Sequence, residues 1–170
     1  MIHLSDIDKN LMYNAFLISQ NSQCTKVKVG ALLWLIDNDD NEYIFTGYNG
    51  APSAPKGMCP RYVLGLESGV GYAICRQTCS QHFHAEAMAV HECQRYFADF
   101  YFDETIDDIY QKVKCHIQDS CCYIFGHPAD QPCDDCKEQL KKVNCRQALL
   151  CDDYYGMTNN EKWRIYNFEE

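Results

Sequence analysis

Val29-Gly30-Ala31-Leu32-Leu33-Trp34-Leu35-Ile36 is a nearly unbroken apolar run. Such a run marks a strand buried on both faces, because neither set of alternating side chains can be left to water. The polar, turn-forming stretch Asp37 to Glu42 follows, and Tyr43 to Tyr48 returns as a second strand, which makes a hairpin. Upstream, Ile7, Leu11, Ala15 and Ile18 recur at helical spacing, with Ser5 or Asp6 available as a cap. Downstream, Ala85, Ala89 and Cys93 are spaced by four and Phe97 closes the stripe, so a helix begins near His84. Asp103 to Lys114 reads as a short helix, Cys121 to Phe125 as a third strand and Cys133 to Val143 as another helix. Gln147 to Cys151 is a fourth strand, and Trp163 to Phe168 a last, edge strand. Strands interleaved with helices in this order predict an α/β fold: a three-layer α/β/α sandwich around a mixed sheet of about five strands. The 170 residues suit one domain spanning 1–170, without internal repeats or linkers. Between the hairpin and His84, the glycine- and proline-bearing stretch 49–81 reads as a long irregular loop.

Composition narrows the function. Hydrophobic residues make up 46% and charged residues 23%, as in an ordinary globular chain and unlike a disordered one. Asp and Glu outnumber Lys and Arg by 24 to 15, for a net charge of -9. Binding a nucleic-acid polymer relies on phosphate neutralisation by a basic patch, and none is evident. A mononucleotide needs only one or two local cations, so the acidic balance does not exclude it. Met1-Ile2-His3-Leu4-Ser5-Asp6 has no basic flank, and no apolar run approaches the ~18–20 residues of a membrane span. The expectation is a cytoplasmic protein with no membrane partner, whose 12 cysteines stay reduced. Clustered cysteines then read as metal ligands before disulfides.

Two motifs carry the chemistry, His84-Ala85-Glu86 and Pro132-Cys133-Asp134-Asp135-Cys136. Two thiolates one helical turn apart chelate Zn²⁺, and a distant imidazole completes a three-ligand set of His84, Cys133 and Cys136. Three protein ligands leave a fourth position for solvent, as in catalytic zinc sites, whereas structural sites are closed by four. Glu86, two residues beyond His84, is not a ligand and can act on that solvent molecule. Both motifs are expected at helix starts, where unpaired N–H groups and the positive dipole end favour thiolate.

His-x-Glu followed by Pro-Cys-x-x-Cys is the signature of the zinc nucleobase deaminases. Ser19-Gln20-Asn21-Ser22-Gln23-Cys24, Lys28-Val29-Gly30-Ala31 and Thr46-Gly47-Tyr48-Asn49-Gly50-Ala51-Pro52 add to it. Over roughly residues 5 to 155, the chain resembles the deoxycytidylate (dCMP) deaminase family of the cytidine deaminase superfamily. That resemblance implies a cytidine deaminase-like fold and hydrolytic conversion of dCMP to dUMP with release of ammonia. Hydroxide generated at the zinc would attack C4 while Glu86 shuttles the protons. It also implies main-chain contacts to the pyrimidine around Ala85 and Gln131, and a sugar-hydroxyl contact from Asn49. An aromatic from Tyr154-Tyr155 would lie against the substrate. Family members assemble as hexamers or dimers, so a homo-oligomer is expected. Some phage members carry a second, structural zinc; Cys24, Cys59 and His82 match its positions, and Cys75 or Cys79 could complete four ligands, giving two zinc ions per chain.

The chain departs from the family in two places. A short Thr-x-x-Pro-Cys approach is usual, whereas Phe125-Gly126-His127-Pro128-Ala129-Asp130-Gln131-Pro132-Cys133 is longer and brings an unexpected His127. The segment from Arg61 to Cys79 also differs from the better-known members. Two alternatives stay open: a deaminase for another nucleoside, nucleotide or base, purines included, and a catalytically silent zinc protein acting as a regulator. Glu86 argues against the silent form. Cys93, Cys115, Cys121, Cys122, Cys145 and Cys151 read as small apolar packing. His3, His91, His116 and His127 read as ordinary surface or core histidines. Asp37, Asp39 and Asp40 read as a solvated hairpin tip.

Overall fold

A computed structural model describes residues 4–50, 59–67, 70–79, 84–99, 105–158 and 162–168. Its centre is the apolar run, now strand β1 (Gly30–Asp37), which pairs antiparallel on one side with β2 (Glu42–Tyr48) and on the other with β3 (Ile117–Phe125). Beyond β3 come β4 (Gln147–Cys151), parallel to it, and β5 (Arg164–Asn167), antiparallel to β4. The sheet is therefore mixed, in the order β2-β1-β3-β4-β5. Alternate residues of β1 feed two cores: Ala31, Leu33 and Leu35 one, Leu32 and Trp34 the other. Fully burying a leucine side chain contributes about 1.5–3 kcal/mol, so the run stabilises both faces at once.

Helix α1 (Asp6–Ser19) covers one face, packing Leu11, Met12 and Ala15 against Leu32, Tyr123 and Leu149. Its start is a capping box, in which the Ser5 hydroxyl accepts from Asp8 N–H and the Asp8 carboxylate from Ser5 N–H. Ile7, one of the expected stripe residues, is exposed instead. The opposite face is covered by α4 (Ala85–Ala98), α5 (Ile106–His116) and α6 (Asp134–Lys142), which bury Ala85, Ala89, Cys93, Val113 and Leu140. The result is the expected three-layer α/β sandwich. Among the described residues no helix is long and apolar enough to cross a membrane.

Several expectations need correction. The stretch read as one irregular loop contains two short helices, α2 (Pro60–Val63) and α3 (Tyr72–Cys79). Strand β3 starts four residues earlier than its apolar run, because Gln118 and Asp119 are strand residues with exposed side chains. Cys115 is exposed and not packed, whereas Cys93, Cys121, Cys122, Cys145 and Cys151 are buried. Asp37 does not merely face solvent: its carboxylate accepts from Asp39 N–H, Asn41 N–H and the Tyr43 hydroxyl, and so organises the hairpin turn.

Candidate metal centre

The first site element is the close approach of α4 to β2. A Cβ on Gly47 would lie 2.6 Å from Ala89 N and would also collide with the Ala85 carbonyl. Only glycine lets the backbone of α4 rest directly on the strand here. This fixes the height of the helix start, and with it His84 and Glu86. The second element is the parallel unit β3–α6–β4, which carries Cys133 and Cys136 at its crossover. Both helix starts share one geometry. His84 is the N-cap of α4 and Cys133 that of α6, each in extended conformation, and their carbonyls accept from Met88 N–H and Lys137 N–H at 2.9 Å. Neither side chain caps its own helix, unlike Ser5 at the start of α1. The imidazole and the thiol are directed at each other instead.

His84 Nδ1 lies 3.4 Å from Cys133 Sγ and 3.5 Å from Cys136 Sγ. The three donor atoms fall within 4.8 Å of one another, and they make up the only such group of three among the described residues. Tetrahedral zinc, with Zn–N and Zn–S bonds near 2.0 and 2.3 Å, separates its nitrogen and sulfur ligands by about 3.6 Å. The donor set and its spacing fit Zn²⁺. Cys136 is buried and Cys133 half-buried. The contact with Cys136, with help from His84, holds the Cys133 thiol well below the usual thiol range, while the same contact and burial push Cys136 up. The hydrogen bond with Cys133 raises His84. A thiolate is thus already favoured at Cys133. Cys93, Cys121 and Cys122, by contrast, are driven up by burial alone or chiefly so, and are inert packing thiols.

Glu86 sits in the first turn of α4 and is 1% exposed, yet its Oε1 has no hydrogen-bond partner among the described residues. Burying a carboxylate in this way is costly unless it works with a cation or a donor. His127 Nε2 stands 3.7 Å from Oε1, with only 14% of the His127 side chain exposed. His127 is therefore not an ordinary surface or core histidine. The signal for it in the sequence was its place in a lengthened loop; its aim depends on two strands that are remote in the chain.

The remaining candidates are spread out. Asn49 is buried, and its carbonyl oxygen accepts from Ser22 Oγ and Val29 N–H at 2.8 and 2.7 Å while its amide donates to Val27 O at 2.8 Å. It ties the 22–29 segment to the end of β2. Ala85 is fully buried and Gln131 exposed. Tyr154 is half exposed and packs edge-on against Phe16 of α1, and Tyr155 is 82% exposed. Of the second cysteine cluster, Cys59 and Cys75 are buried and Cys24 half-buried, and the Cys75 sulfur accepts from Arg61 Nη1 at 3.7 Å. The Cys79 side chain and His82 lie outside the described residues, as does His3; His91 and His116 are exposed.

A sandwich with histidine and two cysteines meeting at two helix starts defines a class of zinc-binding fold. The model of the cytidine and deoxycytidylate deaminase zinc-binding region matches residues 5–151, and the chain belongs to that family. The deoxycytidylate deaminase of Mycobacterium phage D29 is 36% identical over 92 residues, 53% of this chain and 69% of that protein. Among solved structures, dCMP deaminase from cyanophage S-TIM5 in apo form covers 92% of this chain and 90% of its own, at 21% identity and a TM-score of 0.48. The same enzyme in complex with dCMP and dUMP covers 94% and 91%, at 24% identity and 0.48. Cytidine deaminase from Burkholderia pseudomallei covers 96% and 93%, at 14% identity and 0.45.

Proposed function

We propose that this chain is a zinc-dependent hydrolytic deaminase that converts dCMP and water to dUMP and ammonia. One observation carries the reading: a deeply buried Glu86 oxygen with no hydrogen-bond partner among the described residues, two residues beyond His84 of the three-donor His84–Cys133–Cys136 set. A structural zinc site has no use for such a carboxylate. The choice of dCMP is supported by the relative named deoxycytidylate deaminase, and a small anionic nucleotide agrees with a chain of net charge -9 better than a polymer does.

His84, Cys133 and Cys136 would hold the metal. Bound there, zinc lowers the pKa of a coordinated water from about 15.7 towards ~7, which makes a nucleophile available at neutral pH. Glu86 would take one proton from the attacking water and deliver it to ring N3, then take the second from the hydroxyl now on C4 and pass it to the departing amine, so that ammonia leaves as the C4 carbonyl forms. Ala85 and Gln131 would bound the base through their main chains, Asn49 would meet the sugar, and Tyr154 would flank the substrate. The reading includes a cytoplasmic homo-oligomer, dimeric or hexameric. It also includes a second zinc held by four of Cys24, Cys59, Cys75, Cys79 and His82. The long 126–132 loop, which reaches Glu86, favours one alternative, deamination of another amino-bearing base.

Ammonia release across dCMP, dCTP, deoxycytidine, cytosine, adenosine and guanine tests the assignment. dCMP is expected to be turned over best, and Glu86→Gln to keep its zinc while losing about 10²–10⁴ in rate. Wild-type turnover by Glu86→Gln would sink the mechanism, and a clear preference for another base would move the substrate.

A further inference from the structure

We infer that His127 is a positioning residue for Glu86, steering the carboxylate from the loop side of the site; its effect on turnover rests on the deaminase reading above. The juxtaposition is His127 Nε2 at 3.7 Å from Glu86 Oε1, the same oxygen that has no hydrogen-bond partner among the described residues. At this distance the pair is just beyond hydrogen-bond length, and a small tilt of either side chain closes it.

The ring's other nitrogen determines what faces the carboxylate. His127 Nδ1 stands 3.2 Å from both Ala129 N and Ala129 O; where it accepts from the N–H, the neutral ring carries its hydrogen on Nε2. In the protonated ring, Nδ1–H can donate to Ala129 O, also at 3.2 Å, and Nε2–H still faces Glu86. In both of these states a donor faces Glu86. The role is therefore to aim the carboxylate and does not depend on titration of the imidazole.

The loop is built to hold that aim. Gly126 has φ +79°, its N–H donates to Cys151 O at 2.7 Å, and a Cβ there would collide with the Lys28 carbonyl. From the edge strand β5, Arg164 Nη2 donates to His127 O at 2.9 Å, and Nη1 lies 3.4 Å from Asp130 Oδ1. One guanidinium thus grips both ends of the 127–130 turn, so β4 and β5 together set the position of a ring that faces α4. A lengthened approach to the cysteine motif gains a purpose in this arrangement: it carries a side chain across to the acid–base group.

The test uses the full-length, zinc-loaded protein with His127→Ala and His127→Gln. Outer partners of metal-site groups typically contribute about 10–100-fold to activity. His127→Ala is expected to lose that much in kcat, with KM, zinc content and Tm close to wild type. His127→Gln, whose amide nitrogen can stand where Nε2 stood, is expected to recover most of the loss. Wild-type kcat in His127→Ala, or no recovery in His127→Gln, overturns the assignment. A second readout needs no substrate: the ¹⁵N resonance of His127 Nε2 should move in Glu86→Gln, and an unmoved resonance overturns the contact itself. A protein inactive on every base tested but with a responsive His127 sinks the deaminase reading and leaves the pairing intact. Turnover with an unresponsive His127 does the reverse.

Discussion

At the starts of α4 and α6, an imidazole and two thiols from positions 84, 133 and 136 stand within 4.8 Å of one another. In the segment between β2 and α4, Cys59 and Cys75 are also buried, but with Cys24 they form no such group. The first region is positioned by rigid elements: a helix resting on Gly47, and a strand–helix–strand crossover. In the second, among the described residues, Cys75 lies on the short helix α3 and Cys24 and Cys59 lie outside helices and strands. A ligand set at helix N-caps is preorganised by the sheet, so metal adds chemistry to a geometry already present. A set in an irregular segment needs the metal itself to bring its members together. The same contrast appears in the thiols, since contact with Cys136 and His84 holds Cys133 low whereas burial raises Cys93, Cys121 and Cys122.

The largest expected effect separates the two regions directly. Wild-type protein analysed for metal should return two zinc ions per chain. Cys136→Ser should return one and show no measurable turnover. Cys59→Ser should also return one, melt at a lower temperature and still turn over substrate. A wild-type count of one, with Cys59→Ser melting normally, removes the second site.

Rigidity of the first region is probed next. Gly47→Ala forces a Cβ into the backbone of α4 and should cost about 1–3 kcal/mol in denaturant unfolding, as overpacking does. Because the displaced helix carries His84 and Glu86, zinc affinity should fall with stability. Unchanged affinity would mean that the helix start is not what places the ligands. Ser5→Ala is the matched control on the opposite face. It removes the capping box by which the Ser5 side chain caps its own helix, and should lower stability by about 1 kcal/mol with kcat unchanged.

The smallest effect lies at the hairpin turn, outside both regions. Hydrogen bonds from Asn41, aided by Tyr43 and Asp39, hold Asp37 down at about 2. A depressed carboxylate stabilises the fold fully above its unfolded value, near 3.9, and loses that contribution as pH falls through about 2. The Tm deficit of Asp37→Asn should therefore be present at pH 7 and shrink as the pH approaches 2. A deficit that stays constant across this range would remove the carboxylate's charge from the account.

Much of this architecture is legible in the chain before any coordinates. The two-faced apolar run of β1, the four-residue spacing of Ala85, Ala89 and Cys93, and the boundaries of β4 all follow from local periodicity. The three donors were legible as well, because a Cys-x-x-Cys at a helix start has little conformational choice. What escaped reading depends on long-range contacts or on polar residues inside regular elements. The first residues of β3 include Gln118 and Asp119, which break the apolar pattern while the strand continues. Helices α2 and α3 are hidden among glycines and prolines. His127 has no local periodicity to betray it: its aim is set by Cys151 on β4 and Arg164 on β5.

The central claim is most directly tested by diffraction at the zinc absorption edge from crystals of the metal-loaded protein. The account predicts an anomalous peak bonded to His84 Nδ1, Cys133 Sγ and Cys136 Sγ, with solvent as its fourth ligand and Glu86 beside that solvent. A peak absent from this position, or one closed by a fourth protein side chain, would contradict it.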